Sequence, residues 1–252
     1  MFKSKAFMPF VVLGDPNYES SIKIIKSLID NGADALELGF AFSDPIADGP
    51  VIQKANNRAL ANGITTKKNF MILEEIRKYS SIPISLMLSY NLVYNYGTEK
   101  FYQKCSELKI DAILCPDIPL EESEELVKYA RKYNIHQIFL VSPTTTIQRM
   151  KELNIVCSGY VYLVSLLGTT GTRTELNTKL PKLIKTVKKE MKLPIYVGFG
   201  ISEPRHVKEV LEAGADGVIC GSAFCKIIEE GKINDIGKFC KQMCGGKQWQ
   251  IF

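Results

Sequence analysis

"NGADALELG" (Asn31–Gly39) returns near the other end of the chain as "AGADGVICG" (Ala213–Gly221). Each copy runs from a helix-ending glycine through Ala-Asp into a short apolar run, so similar structural units are being reused. Outward from these copies the alternation continues. Eight apolar or β-branched runs can be read: "AFMPFVVLG", "ALELGF", "PISLMLSY", "AILCPD", "HQIFLVS", "YVYLVS", "PIYVGFG" and "GVICGSA". The segments between them carry helical periodicity. In "SSIKIIKSLIDNG", Ile22, Ile25 and Ile29 align and Gly32 supplies a stop. "EESEELVKYARKYN" begins acidic and ends basic, as a helix dipole prefers.

Near-continuous apolar strands, each followed by a helix, need both faces covered and therefore form a parallel sheet. Eight such units predict a closed (β/α)8 TIM barrel of the α/β class. No Pro/Gly/Ser linker divides the 252 residues, which predicts one domain over 1–252. The competing doubly wound sheet would be marked by G-x-G-x-x-G after the first strand, a motif missing here.

Composition narrows the function. Hydrophobic residues make up 46% and charged residues 23%, a globular balance. No apolar run reaches the roughly 18 residues of a membrane span, and the start "MFKSKAFMPF" lacks a secretory pattern, so a cytoplasmic address is expected. Seven cysteines without a C-x-x-C pair suit a reducing compartment and core packing. Cys240 and Cys244, at helical spacing, fit the same reading. His136 and His206 are the only histidines and stand apart, which speaks against a histidine-rich metal site, and no metal is expected. The net charge of +5 comes with no nucleic-acid motif, and the lysines of "KLPKLIKTVKKEMK" are spaced like a solvated helix face.

In such a barrel, chemistry sits at the carboxyl ends of the strands. Glu37 alternates with Leu36 and Leu38 near the end of the second strand, pointing either into the barrel or toward the helices. Either way the carboxyl is desolvated and its pKa raised, which suits a group that gives and takes a proton near neutrality. The alternative is a glutamate in a structural ion pair. Asp48 follows in "FSDPIADGP", a loop stiffened by Pro45, Gly49 and Pro50, where local chemistry leaves its role open. Asp44 fits a turn or a partner contact.

Glycine-bearing segments end the sixth, seventh and eighth runs: "GTTGTR" (Gly168–Arg173), "GFGIS" (Gly198–Ser202) and "CGSAF" (Cys220–Phe224). A helix starting after Ser222 would aim its positive end at an anion, and barrels commonly bind phosphate after strands seven and eight. Tight strand-to-helix turns are the simpler explanation of the same glycines. The stretch from Leu166 to Thr178 exceeds a minimal connection and reads as a lid that would bring Thr170 and Gly171 to a ligand. Tyr162 offers either an aromatic wall with a hydroxyl or core packing.

Together "PFVVLGDP", "GADALELGFAFSDPIADGP", "NLVYNYG", "PDIPLEES", "YLVSLLGTTGTR", "GFGIS" and "GSAF", in order along nearly the whole chain, resemble the tryptophan synthase alpha chain family. The resemblance implies a barrel that cleaves indole-3-glycerol phosphate to indole and glyceraldehyde 3-phosphate. Glu37 matches the family's acid/base carboxylate and Asp48 the carboxylate that accepts the indole N–H. Gly171, Gly200, Gly221 and Ser222 match the phosphate site. Phe10, Met87, Leu114, Leu140, Tyr162 and Phe199 match the indole pocket, and Thr170 the lid threonine that meets Asp48. The resemblance also implies a beta-chain partner in an alpha-beta-beta-alpha assembly. Pyridoxal phosphate belongs to that partner, with no cofactor in this chain. Asp44, Asn91 and Pro119 match partner-facing loops.

Some positions depart from the family pattern. Ala41 stands where proline is usual, which leaves the Asp48 loop free to be looser or to meet its partner differently. Leu166 and Thr169 replace a usual arginine and valine in the lid, and the helix that normally precedes the first strand is expected to be largely missing. Two alternatives follow: a regulatory subunit that has lost turnover and activates the beta chain, and a stand-alone lyase that releases indole.

Overall fold

The computed structural model describes residues 5–46, 48–164, 173–198 and 200–247, the stretch 173–179 by its backbone alone. Strands β1 (Ala6–Val12), β2 (Leu36–Gly39), β3 (Ile84–Met87), β4 (Ala112–Leu114), β5 (His136–Val141), β6 (Val161–Val164), β7 (Ile195–Gly198) and β8 (Gly217–Cys220) pair in chain order and close into a barrel. Every pairing is parallel, and β8 returns to β1 with Ala6 opposite Gly217 and Pro9 opposite Cys220.

The helices of the outer layer run α1 (Tyr18–Asp30), α2 (Pro50–Ala61), α3 (Thr66–Tyr79), α4 (Tyr90–Tyr96), α5 (Thr98–Glu107) and α6 (Glu124–Lys132). They continue with α7 (Ile147–Val156), α8 (Arg173–Glu190), α9 (Pro204–Glu212), α10 (Ser222–Glu229) and α11 (Ile236–Gly245). Each strand of a closed parallel sheet is covered on both faces, which is why all seven residues of β1 are buried.

Two local expectations are corrected. On α1 the buried stripe is Ser21, Ile24, Ile25 and Leu28, with Ile22 and Ile29 at its margins. The apolar arc is wide enough that alignment alone could not choose its centre. The stretch expected as a lid, 166–178, is helical from Arg173, where α8 begins, and nothing in 173–180 is a glycine or proline to stop it. Residues 165–172, with Leu166 and Thr169, lie outside the described residues.

The repeated Ala-Asp has a physical purpose. Asp34 donates its N–H to the Phe7 carbonyl (3.0 Å), and its carboxylate accepts the Phe7 N–H (2.8 Å). Asp216 makes the same pair of bonds to Ile195 at 2.8 and 2.9 Å. A third copy, Asp111 on Ile84 at 3.0 and 2.8 Å, lies in a segment without the glycine signature. Two residues before each aspartate the chain turns through positive φ, at Gly32, Lys109 and Gly214. Each unit thus leaves its helix through a left-handed residue and pins an aspartate to the preceding strand, which sets where pairing starts.

Large rings fill the barrel interior, and glycines on adjacent strands make room for them. A Cβ on Gly39 would come within 2.7 Å of the Phe10 ring, and one on Gly198 or Gly217 would enter the Tyr162 or Tyr196 ring. Tyr196 cannot retreat, because it packs on Tyr160 with centroids 4.7 Å apart. Overpacking there costs about 2 kcal/mol. Gly217→Ala is therefore expected to lower the urea midpoint with an unchanged slope, and an unaltered midpoint would show that the Tyr196 contact does not constrain the strand.

Candidate active site

Glu37 sits on β2 opposite Phe10 of β1 and Ser85 of β3. Leu36 and Leu38 are buried on the helix side, so the period of two turns Glu37 inward. Glu37 is 1% exposed, and among the described residues its Oε1 has no hydrogen-bond partner. Burial pushes it from the ordinary 4.5 up to about 8, and the nearby Asp48 charge adds to the rise. This decides the question left open in the sequence: Glu37 faces the interior, and no residue among those described pairs with it as an ion.

Asp48 arrives from the loop between β2 and α2. Its N–H donates to the Pro45 carbonyl (3.1 Å), and its own carbonyl accepts from the Gln53 side chain (2.9 Å). Its Oδ2 accepts from Nδ2 of Asn56 (2.9 Å), a buried residue of α2. Burial raises the Asp48 carboxyl, and the Asn56 bond opposes the rise. The positive end of α2, with Pro50 in its first turn, also favours a carboxylate here. Two carboxyls thus share one site in unlike surroundings. Asp48 is half-exposed and hydrogen-bonded, so it carries the charge, while Glu37 keeps its proton to about 8.

Between them lies a cavity of about 260 Å³. Phe10, Met87, Leu140 and Tyr162, which the resemblance assigned to a pocket, line this cavity. Leu114 does not reach the cavity; it is buried at the end of β4, between Met87 and Ile138 in register. Pro116, two residues higher, takes the wall position. Ile201 and Ile219 also contribute, unheralded by any local motif. Thr170, Gly171 and Phe199 lie outside the described residues.

At the far end the wall is Gly200, Gly221 and Ser222. Gly221 caps α10 and Ser222 is its first residue, one position earlier than expected. The first backbone bond there runs from the Cys225 N–H to the Gly221 carbonyl (3.1 Å), so the amides before it have no partner within the helix. That end is suited to an anion.

Asp44, Asn91 and Pro119 are exposed and follow β2, β3 and β4 respectively, so they share the carboxyl-end face. Asp44 accepts from the Ser43 hydroxyl (2.9 Å). Asp117 stitches this face together, accepting from the Ser89 hydroxyl (2.5 Å) and the Tyr90 N–H (2.9 Å) at the start of α4. Beside these residues Ile46 is 83% and Tyr94 65% exposed. A small gap of about 30 Å³ shares Phe10, Asp48, Met87 and Pro116 with the main cavity and reaches Asp44, Ile46 and Asp117.

A family model for the tryptophan synthase alpha chain matches residues 2–247. The tryptophan synthase alpha chain of Methanothermobacter thermautotrophicus is 50% identical over 230 residues, covering 91% of this chain and 85% of the relative. That of Photobacterium profundum is 46% identical over 94% of this chain and 91% of its own length. Among solved structures, the Pyrococcus furiosus tryptophan synthase a2b2 complex contains a chain that superposes with a TM-score of 0.91 at 39% identity, covering 97% of this chain and all of that one.

The buried Glu37 carboxyl makes stability depend on pH. Since the folded pKa of Glu37 exceeds the ordinary 4.5, its contribution is fully present below about 4.5 and is lost as pH rises through about 8. Glu37→Gln, neutral throughout, is expected to gain stability relative to wild type across that window and to level off above it. Urea midpoints of both proteins at about pH 5 and about pH 9 check this; a constant difference would mean that Glu37 ionises normally.

Proposed function

The chain belongs to the tryptophan synthase alpha chain family, and on that premise we infer that it cleaves indole-3-glycerol phosphate to indole and glyceraldehyde 3-phosphate. The observation that carries this reading is the pair of unlike carboxyls across an apolar cavity whose far end is a helix N-terminus. Indole lies flat between Phe10, Met87, Leu140 and Tyr162, and the phosphate meets the amides at Gly200, Gly221 and Ser222.

The protonated Glu37 delivers its proton to the ring carbon that bears the glycerol chain. Asp48 accepts the ring N–H and stabilises the cation so formed. Glu37, now a carboxylate, takes the proton of the adjacent glycerol hydroxyl. The carbon–carbon bond breaks, its electron pair returns to the ring, and the hydroxyl carbon leaves as an aldehyde. Glu37 ends protonated as it began, its first proton now on the indole ring carbon and the hydroxyl proton in its place, an exchange that suits a carboxyl poised near neutrality.

The indole would pass to a beta chain bound on the face of Asp44, Asn91 and Pro119, in an alpha-beta-beta-alpha assembly like that of the Pyrococcus furiosus complex. Pyridoxal phosphate belongs to that beta chain, and no step assigned here calls for a cofactor. Among the described residues no helix is long and apolar enough to cross a membrane. A cytoplasmic address fits seven cysteines that are all free thiols.

Indole release by the purified chain, alone and with a beta chain, tests the proposal. Turnover is expected to rise with the partner and to fall at least about 100-fold in Glu37→Gln and in Asp48→Asn. The wild-type rate should decline as pH passes about 8, where Glu37 loses its proton. Full activity in Glu37→Gln, or none in any mixture of folded chains, would sink the lyase reading.

A further inference from the structure

Two residues beyond Asn56, α2 carries Arg58. Its Nε and a terminal nitrogen bind the two oxygens of Asp15 at 2.8 Å each, a parallel two-bond geometry. Asp15 is 1% exposed and belongs to the turn after β1. That turn is itself held, by the Asp15 N–H on the Val12 carbonyl (3.2 Å) and the Gly14 N–H on the Ser21 hydroxyl (3.0 Å). Neither Arg58 nor Asp15 is among the residues lining the cavity. Helix α2 nonetheless carries both the Asn56 that grips the Asp48 carboxylate and the Gln53 that grips the Asp48 carbonyl.

We propose that Arg58 is a positioning residue for the reaction: its two-bond pair with buried Asp15 seats α2 on the end of β1, so that Asn56 holds the Asp48 carboxylate at the mouth of the cavity. The proposal rests on the reading of Asp48 as the group that meets the ring N–H. A lysine at 58 keeps the charge but cannot supply two parallel bonds, so one oxygen of Asp15 loses its partner and the helix re-seats. Misplacement of a reacting group by about 1 Å costs up to about 100-fold in rate. Lys54, on the same helix, pairs with Glu229 of α10 at 2.9 Å near the surface and serves as the control.

Among the described residues, the titratable groups facing Asp48 include Glu37 from β2, Tyr162 from β6 and Cys225 from α10, with Asp44 and Asp117 on the small gap beside it. Burial lifts the tyrosine and the thiol beyond the neutral range. Losing the Asn56 bond removes the influence that lowers the Asp48 carboxyl, so its titration midpoint must rise.

The test is the carbon-13 titration of aspartate side chains in the full-length chain, with the Asp48 signal identified by its disappearance in Asp48→Asn. Asn56→Ala and Arg58→Lys are both expected to move that midpoint upward by about half a pH unit or more, and Lys54→Ala to leave it in place. With substrate, kcat should fall about tenfold or more in Asn56→Ala and Arg58→Lys, with KM within about twofold. An Arg58→Lys protein that loses thermal stability yet keeps the wild-type Asp48 midpoint would overturn the positioning role and leave a structural one. A wild-type chain that releases no indole would refute the proposed function, while the titration would still decide whether Arg58 positions Asp48.

Discussion

The reciprocal bonds between an aspartate and the strand before it set the register on which everything else depends. At Asp34, Asp111 and Asp216 the backbone of one unit is fixed to the start of its neighbour. Side chains on a strand alternate, so a slip of one residue would send Glu37 out among the helices and bring Leu36 or Leu38 into the cavity. With the register in place, Phe10, Glu37 and Ser85 lie side by side across three strands. The chemistry of the site begins with that pairing.

Burial then separates two chemically similar groups. Glu37 arrives on a strand, where the backbone is already paired and nothing local can reach its Oε1. Asp48 arrives on a loop, whose polar backbone lies near water and whose following helix supplies Asn56 and a positive end. Strand and loop therefore act as two solvents. The same carboxyl chemistry gives a group protonated to about 8 in one and a hydrogen-bonded group that favours its charge in the other.

Much of this was legible in the chain. Eight alternating units, the echo of Asn31–Gly39 in Ala213–Gly221, and the carboxylate at the end of the second run led to the barrel and to its catalytic end. Other features were hidden. The third aspartate clamp follows Lys109, a residue with no turn signature, so the internal repeat looked twofold. Asn56 and Arg58 read as ordinary polar positions of an amphipathic helix, because their meaning depends on Asp48 and Asp15 approaching from other elements. Pro116 and not Leu114 lines the cavity, because strand level, invisible in a three-residue strand, decides which residue meets it.

By itself the sequence determined what is local and periodic: which segments become strands, which become helices, and which carboxyl each strand end or loop would carry. Hydrophobic period and turn chemistry act over a few residues, and a linear reading captures them. Only the tertiary structure decided that Glu37 faces inward with its Oε1 unbonded among the described residues, that Asp48 is gripped by Asn56, and that Arg58 binds the gripping helix to the turn after β1. Each of those depends on desolvation or on bonds between residues brought together by barrel closure, and both arise from the summed packing of distant segments.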